Sequence, residues 1–299
     1  MKLSNSIPAY LLKDFGYCRD FVEGRAENLT FCSQLVSRRL RPFLYAIYAF
    51  IWTARDFINL PGQDDDFNLQ KLDDWSRRLS LAKSGQTDHP IFRAMRHTFE
   101  VTSLPENLLQ NILIAHRMDI TNKRYETLDD LTEYCRFAVN PIGQIILYLS
   151  NEVDFPQSLQ TTEKIYHSDA FWTAMQLTSF WQNLGHNTWN HHPLYLPKRE
   201  MQLFGVHEET ILQRRYTSML GSLILHLVEE TRILFAKGEP LLKQVAWPLR
   251  LELATVTERN MAMLDRIESC GGNILRKRLD LTQQERLGCL WRAFGRASV

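Results

Sequence analysis

Apolar residues recur along the chain at spacings of three and four, with no sustained alternation of apolar and polar positions bounded by hairpin turns. That period belongs to helices packed on a core, so the fold class expected is all-α. Glycine and proline fall mostly between the periodic runs, at Pro61-Gly62, Pro105, Pro156, Pro193 to Pro197, Gly238 to Pro240 and Gly271-Gly272, where they end or bend helices. The expected helices cover about 6–24, 33–58, 67–83, 89–100, 106–117, 127–135, 140–151, 161–187, 206–236, 239–269 and 281–295. No Gly/Ser-rich linker, low-complexity tract or internal repeat divides them, which favours a single helical domain over 1–299. Pro141 is expected at the first turn of a helix or at a break just before it, and Gly143 where another backbone approaches.

Two of these helices carry polar stripes inside otherwise apolar sequence. At helical spacing Gln176, Ser179, Asn183 and Asn187 share one face, and so do Tyr48, Trp52, Arg55 and Asn59, with Asp56 beside them. Polar faces on two apolar helices imply a cavity between them. One stripe is made of amides and the other is headed by an arginine, so neither is an acid cluster.

Charge narrows the partners. Lys+Arg 35 against Asp+Glu 34 gives a formal net charge of +1, which leaves no global field for nucleic acid or an anionic membrane. The basic clusters Arg38-Arg-Leu-Arg41 and Arg276-Lys-Arg278 are local. Five cysteines, Cys18, Cys32, Cys135, Cys270 and Cys289, are scattered without metal-ligand spacing. The odd number, with no signal peptide, points to reduced thiols, small core residues and a cytoplasmic location. No run of about 18 apolar residues occurs. A peripheral membrane contact is compatible with the chain, although no amphipathic anchor stands out in it.

The wording around the stripes is specific. Arg41-Pro-Phe-Leu-Tyr-Ala-Ile-Tyr48-Ala-Phe50 resembles the entry to the first Asp-rich motif of the squalene/phytoene synthase family. Tyr134-Cys-Arg-Phe-Ala-Val-Asn-Pro-Ile-Gly143 is similar to its middle helix, and Gln176-Leu-Thr-Ser-Phe-Trp-Gln182 leads into its second motif. Tyr195-Leu-Pro197, Gly238-Glu-Pro-Leu241 and Leu264-Asp-Arg-Ile267 match further on, so the resemblance covers nearly the whole chain. Asn140-Pro141 and the Glu27-Asn28 to Ser33 region look most like the bacterial hopanoid branch, the hydroxysqualene synthases. The resemblance implies an isoprenoid-synthase helical bundle around a central cavity, an isoprenoid diphosphate substrate (presqualene or farnesyl diphosphate) and Mg2+ held by two acidic motifs. A squalene-type reaction in hopanoid biosynthesis would follow: diphosphate leaves, the cyclopropylcarbinyl cation rearranges and water captures it.

The chain departs from that pattern at its centre. Where the family's first motif reads Asp-Asp-x-x-Asp, Arg55, Asp56 and Asn59 stand; an earlier family arginine is Trp52. Both acids of the second motif are amides, Asn183 and Asn187, and Ser179 stands for an asparagine. Pro193 replaces a basic residue just before Tyr195. Magnesium is a hard, strongly hydrated cation that binds through carboxylates and phosphates, and neutral amides offset its dehydration poorly. Arg55 adds a like charge costing on the order of 1–4 kcal/mol per contact at a few Å, depending on screening.

By the resemblance, Asp56 is the remaining metal ligand and, with Tyr48, a catalytic candidate. Arg55, Asn59, Tyr134, Gln176, Asn183, Asn187 and Tyr195 are substrate-binding candidates. Arg55 can also replace a metal outright, since guanidinium binds phosphate oxygens bidentately. His186, His191 and His192 near the second motif are either phosphate or metal contacts or a solvated connector. Asp64-Asp-Asp66 is either a displaced metal motif or a solvated turn. Asp119 is either an N-cap or surface residue or a cavity residue, beside Tyr125 in the segment before the middle helix. The concentrated loss of acids opens a second reading, a pseudoenzyme that binds or scaffolds a paralogous active synthase. A third is a structural assembly factor.

Overall fold

The structure is a computed structural model; it describes residues 7–25, 39–121, 124–153, 159–187, 194–275 and 279–298. Among these every regular element is helical, with no strand. The chain forms two compact units, one made of residues 1–121 with 144–158 and the other of 122–143 with 159–299.

The first unit contains α1 (Leu12–Glu23), α2 (Arg41–Asp56), α3 (Asp65–Lys83), α4 (Pro90–Thr102) and α5 (Glu106–Ile120). Helix starts follow elementary capping. Asp64 accepts the Phe67 amide at 2.8 Å, and Asp65 and Asp66 fill the first turn of α3, where the helix dipole favours negative charge. The acidic triplet is therefore a solvated helix N-terminus rather than a displaced metal motif. Pro90 starts α4, where its missing N–H costs nothing. The core is aromatic at its centre: Phe50 stacks on Trp75 at 5.7 Å, and Trp75 meets Phe92 at 4.4 Å. The Trp75 indole N–H donates to the Phe50 carbonyl at 3.2 Å, so its polar edge is satisfied in the core. Burying each such ring contributes roughly 1.5–3 kcal/mol. Asp14, buried on α1, takes a two-pronged grip from Arg93 on α4, at 2.6 and 3.0 Å; this offsets the burial of its charge.

The second unit contains α6 (Leu128–Ala138), the first residues of α7 (Asn140–Leu149), α8 (Leu159–Asn187), α9 (Lys198–Leu203), α10 (Glu208–Leu212), α11 (Ser218–Gly238), α12 (Leu241–Gln244), α13 (Leu249–Ser269) and α14 (Gln283–Ala297). Thr127 with Asp130 and Thr282 with Glu285 form reciprocal capping boxes that start α6 and α14. Helix α8 is the axis of this unit. Its Trp181, fully buried, donates to Thr231 of α11 at 2.9 Å. Gly143 meets the Trp172 ring, which a Cβ would approach to 2.2 Å, so the close partner is a side chain and not the expected backbone. Pro141 lies in the first turn of α7, just after the break at Val139. Asn140 accepts from Thr173 of α8 at 3.1 Å, pinning that break.

Two long helices expected from periodicity are in fact divided. The run about 206–236 separates into α10 and α11, because Arg214 takes a left-handed φ of 54° and Thr217 caps a new start at the Leu220 amide. The run about 239–269 separates at Pro248, which cannot donate inside a helix. Helix α9, between Pro197 and Gly205, was hidden by its shortness.

Candidate functional site

Each polar stripe is described within its own unit. Helix α2 ends at Asp56 and continues as a short 3-10 turn, Phe57–Asn59, so Arg55 and Asp56 occupy its last turn and Asn59 the turn beyond. All three are exposed. Tyr48 and Trp52 lie a turn apart, half-buried, with rings 5.7 Å apart. Asp56, the one acid surviving in the first motif, is already engaged. Its Oδ2 accepts from Arg25, just after α1, at 2.7 Å, and the Arg25 guanidinium also covers the Phe21 ring at 3.8 Å. Two arginines thus stand against one carboxylate.

A buried imidazole lies on α5 within reach of the Arg55 charge. His116 of α5 is buried, and its Nε2 has no hydrogen-bond partner. Burial, and then the charge of Arg55, push its pKa down to about 4, while a hydrogen bond to the Ile51 backbone opposes them. The imidazole is held neutral above that value. Asp119, one turn on, is buried near the end of α5, so it is neither an N-cap nor a surface residue.

In the second unit Gln176, Ser179 and Asn183 are half-buried along α8. The Asn183 side-chain N–H donates to the Ser179 carbonyl at 2.9 Å and to its hydroxyl at 3.3 Å, so this amide is folded back on its own helix. Asn187 closes α8; its side chain and that of His186 lie outside the described residues, as do His191, His192 and Pro193. Gly185 is required by packing: a Cβ there would come to 2.4 Å from the Leu275 carbonyl.

Tyr134 and Tyr195 are brought together, with Phe180 and Tyr125. Phe180 stacks face to face on Tyr195 at 4.0 Å; Tyr134 lies 5.5 Å from Tyr195 and 5.4 Å from Tyr125. The segment that carries Tyr195 is tied down by its backbone: Lys198 and Arg199 amides donate to the Tyr125 and Glu126 carbonyls at 3.1 and 2.9 Å. Arg124 donates to the Leu194 carbonyl and pairs with Glu208. The result is a rigid aromatic wall of phenol edges and ring faces, suited to hydrocarbon and to developing positive charge.

Arg25 and His116 are the contributors that spacing did not reveal. Arg25 reaches Asp56 across 31 positions, and no local period encodes that. The charge pattern also bears on whether these residues fit a metal. Among the described residues no group of three or more His, Cys, Asp or Glu could hold an ion, and the one candidate ligand, Asp56, is neutralised by Arg25 beside a second arginine. Magnesium does not fit this donor set.

Fold and site together define an all-α protein of isoprenoid-synthase type with a cationic, acid-poor first motif. The squalene/phytoene synthase profile matches residues 22–285, and the chain belongs to that family, whose members act on isoprenoid diphosphates in isoprenoid biosynthesis. It is 27% identical to a hydroxysqualene synthase of Rhodopseudomonas palustris over 81% of this chain and 78% of that one. It is 24% identical to a chloroplastic phytoene synthase of Daucus carota over 94% and 70%. Among solved structures, squalene synthase HpnC from Alicyclobacillus acidocaldarius superposes with a TM-score of 0.80 at 28% identity, covering 89% of this chain and 97% of that one. A dehydrosqualene synthase in complex with ligand superposes at 0.79 with 23% identity, covering 96% and 97%.

Proposed function

We propose that the chain, taken as one squalene/phytoene-synthase-like domain over 1–299, binds presqualene or farnesyl diphosphate in the squalene or hopanoid branch of isoprenoid biosynthesis, and that it does so through cationic side chains in place of metal. The observation that carries this reading is the pairing of Asp56 with Arg25, which leaves Arg55 without a carboxylate partner among the described residues. Arg55 serves as the diphosphate anchor, with Asn59 and Asn187 as neutral donors; Asn183 joins them when its amide turns from Ser179 to the ligand. Gln176 and Tyr48 line the site, and Tyr134 and Tyr195 flank the hydrocarbon. In turnover, these residues hold the diphosphate as it departs, and the aromatic faces shield the cation until water captures it.

Titration calorimetry with farnesyl diphosphate in EDTA is the test. Binding persists without magnesium and weakens about tenfold or more in Arg55→Ala, in line with roughly 1.5–3 kcal/mol for a hydrogen bond to a charged group. Binding that appears only with magnesium overturns the proposal. The same loss of acids from both motifs supports a second reading, a catalytically impaired binding partner for a paralogous synthase. Turnover of presqualene diphosphate by the purified chain alone excludes it; activity that arises only on mixing with a paralogue supports it.

A further inference from the structure

The last helix carries an apolar face that the fold does not use. On α14 the residues that pack inward are small: Cys289, Ala293 and Ala297 are buried against the unit. The large ones point to solvent. Leu287, Leu290, Trp291 and Phe294 are 60%, 37%, 79% and 42% exposed. Their spacing of three, one and three places them on a single stripe. Trp247, 53% exposed, extends the stripe beyond the helix, with its ring 6.4 Å from Phe294.

The orientation of α14 is fixed by charge. Glu258, buried on α13, accepts from Arg292 at 2.6 Å and from Arg296 at 2.9 Å, and Cys289 donates to the Glu258 carbonyl. Those two arginines hold the helix with its large apolar side chains outward. Two further cations at the edge donate to backbone carbonyls, Arg250 to Val245 and Arg286 to Leu281. Arg286, exposed beside Leu287, and Lys243 and Arg250, on either side of Trp247 in the chain, have no carboxylate partner among the described residues. Lys243, Arg250 and Arg296 line a cavity of about 500 Å³ together with Leu242 and Glu239, whose carboxylate is bound to Arg296 at 2.7 Å. Glu285, the one acid of α14, is held by Arg266 at the helix start.

We infer that α14 and the Lys243–Arg250 loop form a membrane-docking surface, in which the Leu287-Leu290-Trp291-Phe294 stripe and Trp247 enter the interface of a bilayer and the adjoining cationic cavity takes an anionic phospholipid headgroup. Tryptophan at the edge of an apolar stripe, with uncompensated cations alongside, matches the polarity profile of that interface. No helix of the described residues is long and apolar enough to cross a membrane, so the contact is peripheral. It lies wholly within the second unit and is independent of the function proposed above, because its readout is lipid binding rather than turnover.

Vesicle flotation tests it. The full chain floats with vesicles of phosphatidylcholine containing about a quarter phosphatidylglycerol, and more weakly with phosphatidylcholine alone. Leu287→Gln combined with Trp291→Gln lowers partitioning to both by about tenfold or more, whereas Trp291→Phe keeps most of it. Lys243→Glu lowers binding to the anionic vesicles by about tenfold and leaves the weaker binding to phosphatidylcholine unchanged. All the substituted positions are exposed, and an unchanged melting temperature confirms folding. The inference is overturned if the wild type does not float with anionic vesicles or if the double variant floats as well as the wild type. It is equally overturned if the wild type is a lipid-independent dimer that the double variant makes monomeric, since a second copy then covers the stripe.

Discussion

The two polar stripes, on α2 and on α8, are built from different chemistry. At the end of α2 the side chains are charged: Arg25 occupies Asp56, and Arg55 has no carboxylate partner among the described residues. Along α8 the replacement that is described is neutral and turned inward, with Asn183 bonded to its own helix at Ser179. An arginine next to a neutralised carboxylate still attracts a polyanion, whereas an amide satisfied by its own backbone contributes shape more than charge. Arg55, Asp56 and Asn59 are exposed, whereas Gln176, Ser179 and Asn183 are half-buried on a helix whose Gly185 packs against backbone.

The largest effect expected from this contrast is on stability. Gly185→Ala, in the second motif's helix, forces a Cβ against the Leu275 carbonyl and costs about 3 kcal/mol, because backbone on both sides must shift. Asn59→Ala, exposed in the first motif, changes stability by less than about 0.5 kcal/mol. Urea unfolding of the two variants separates them, and equal midpoints would erase the distinction drawn here.

A comparable effect resides under the first motif. His116 has a folded pKa of about 4 against the ordinary 6.5 of a histidine. Between those values the unfolded chain binds the proton more readily than the folded one, so stability is fully present above about pH 6.5 and falls as pH drops toward 4. The loss is on the order of 3 kcal/mol. In His116→Gln that fall between pH 6.5 and 4 flattens; an unchanged pH profile would show that the imidazole is not held neutral.

The smallest effect is the most diagnostic of charge. Asp56→Asn frees Arg25, and because the pair is exposed, stability changes by only about 0–1 kcal/mol. Affinity for diphosphate without metal rises, since two arginines then face the ligand with no competing carboxylate. The same isosteric exchange in the other direction, Asn183→Asp, lowers it. Calorimetry that finds both changes neutral would remove the electrostatic difference between the motifs.

The helical fold was open to a reader of the residues, because the 3.6-residue period and the capping chemistry are local. Thr127, Thr282 and Pro90 announce the helices they start. The breaks before α11 and α13 were less visible, since apolar periodicity runs through them; a left-handed Arg214 and a proline at 248 outweigh it. The stripes on α2 and α8 could be read from spacing, and so could the missing acids. The state of Asp56 could not, because it depends on Arg25, a residue with no periodic relation to it. The outward face of α14 shows a different limit: a helical period identifies an apolar stripe without saying whether anything covers it, and only the burial of Cys289 and Ala293 shows which side faces out.

The Arg25–Asp56 contact also sets the route by which this chain could become a metal protein. Restoring acids at Arg55, Asn59, Asn183 and Asn187 rebuilds the written motif but leaves Asp56 clasped from the end of another helix. An incoming cation must then displace a guanidinium before it meets a carboxylate. Building a magnesium site is therefore a compound step, in which Arg25 has to change together with the stripe residues, and single substitutions along the way gain little.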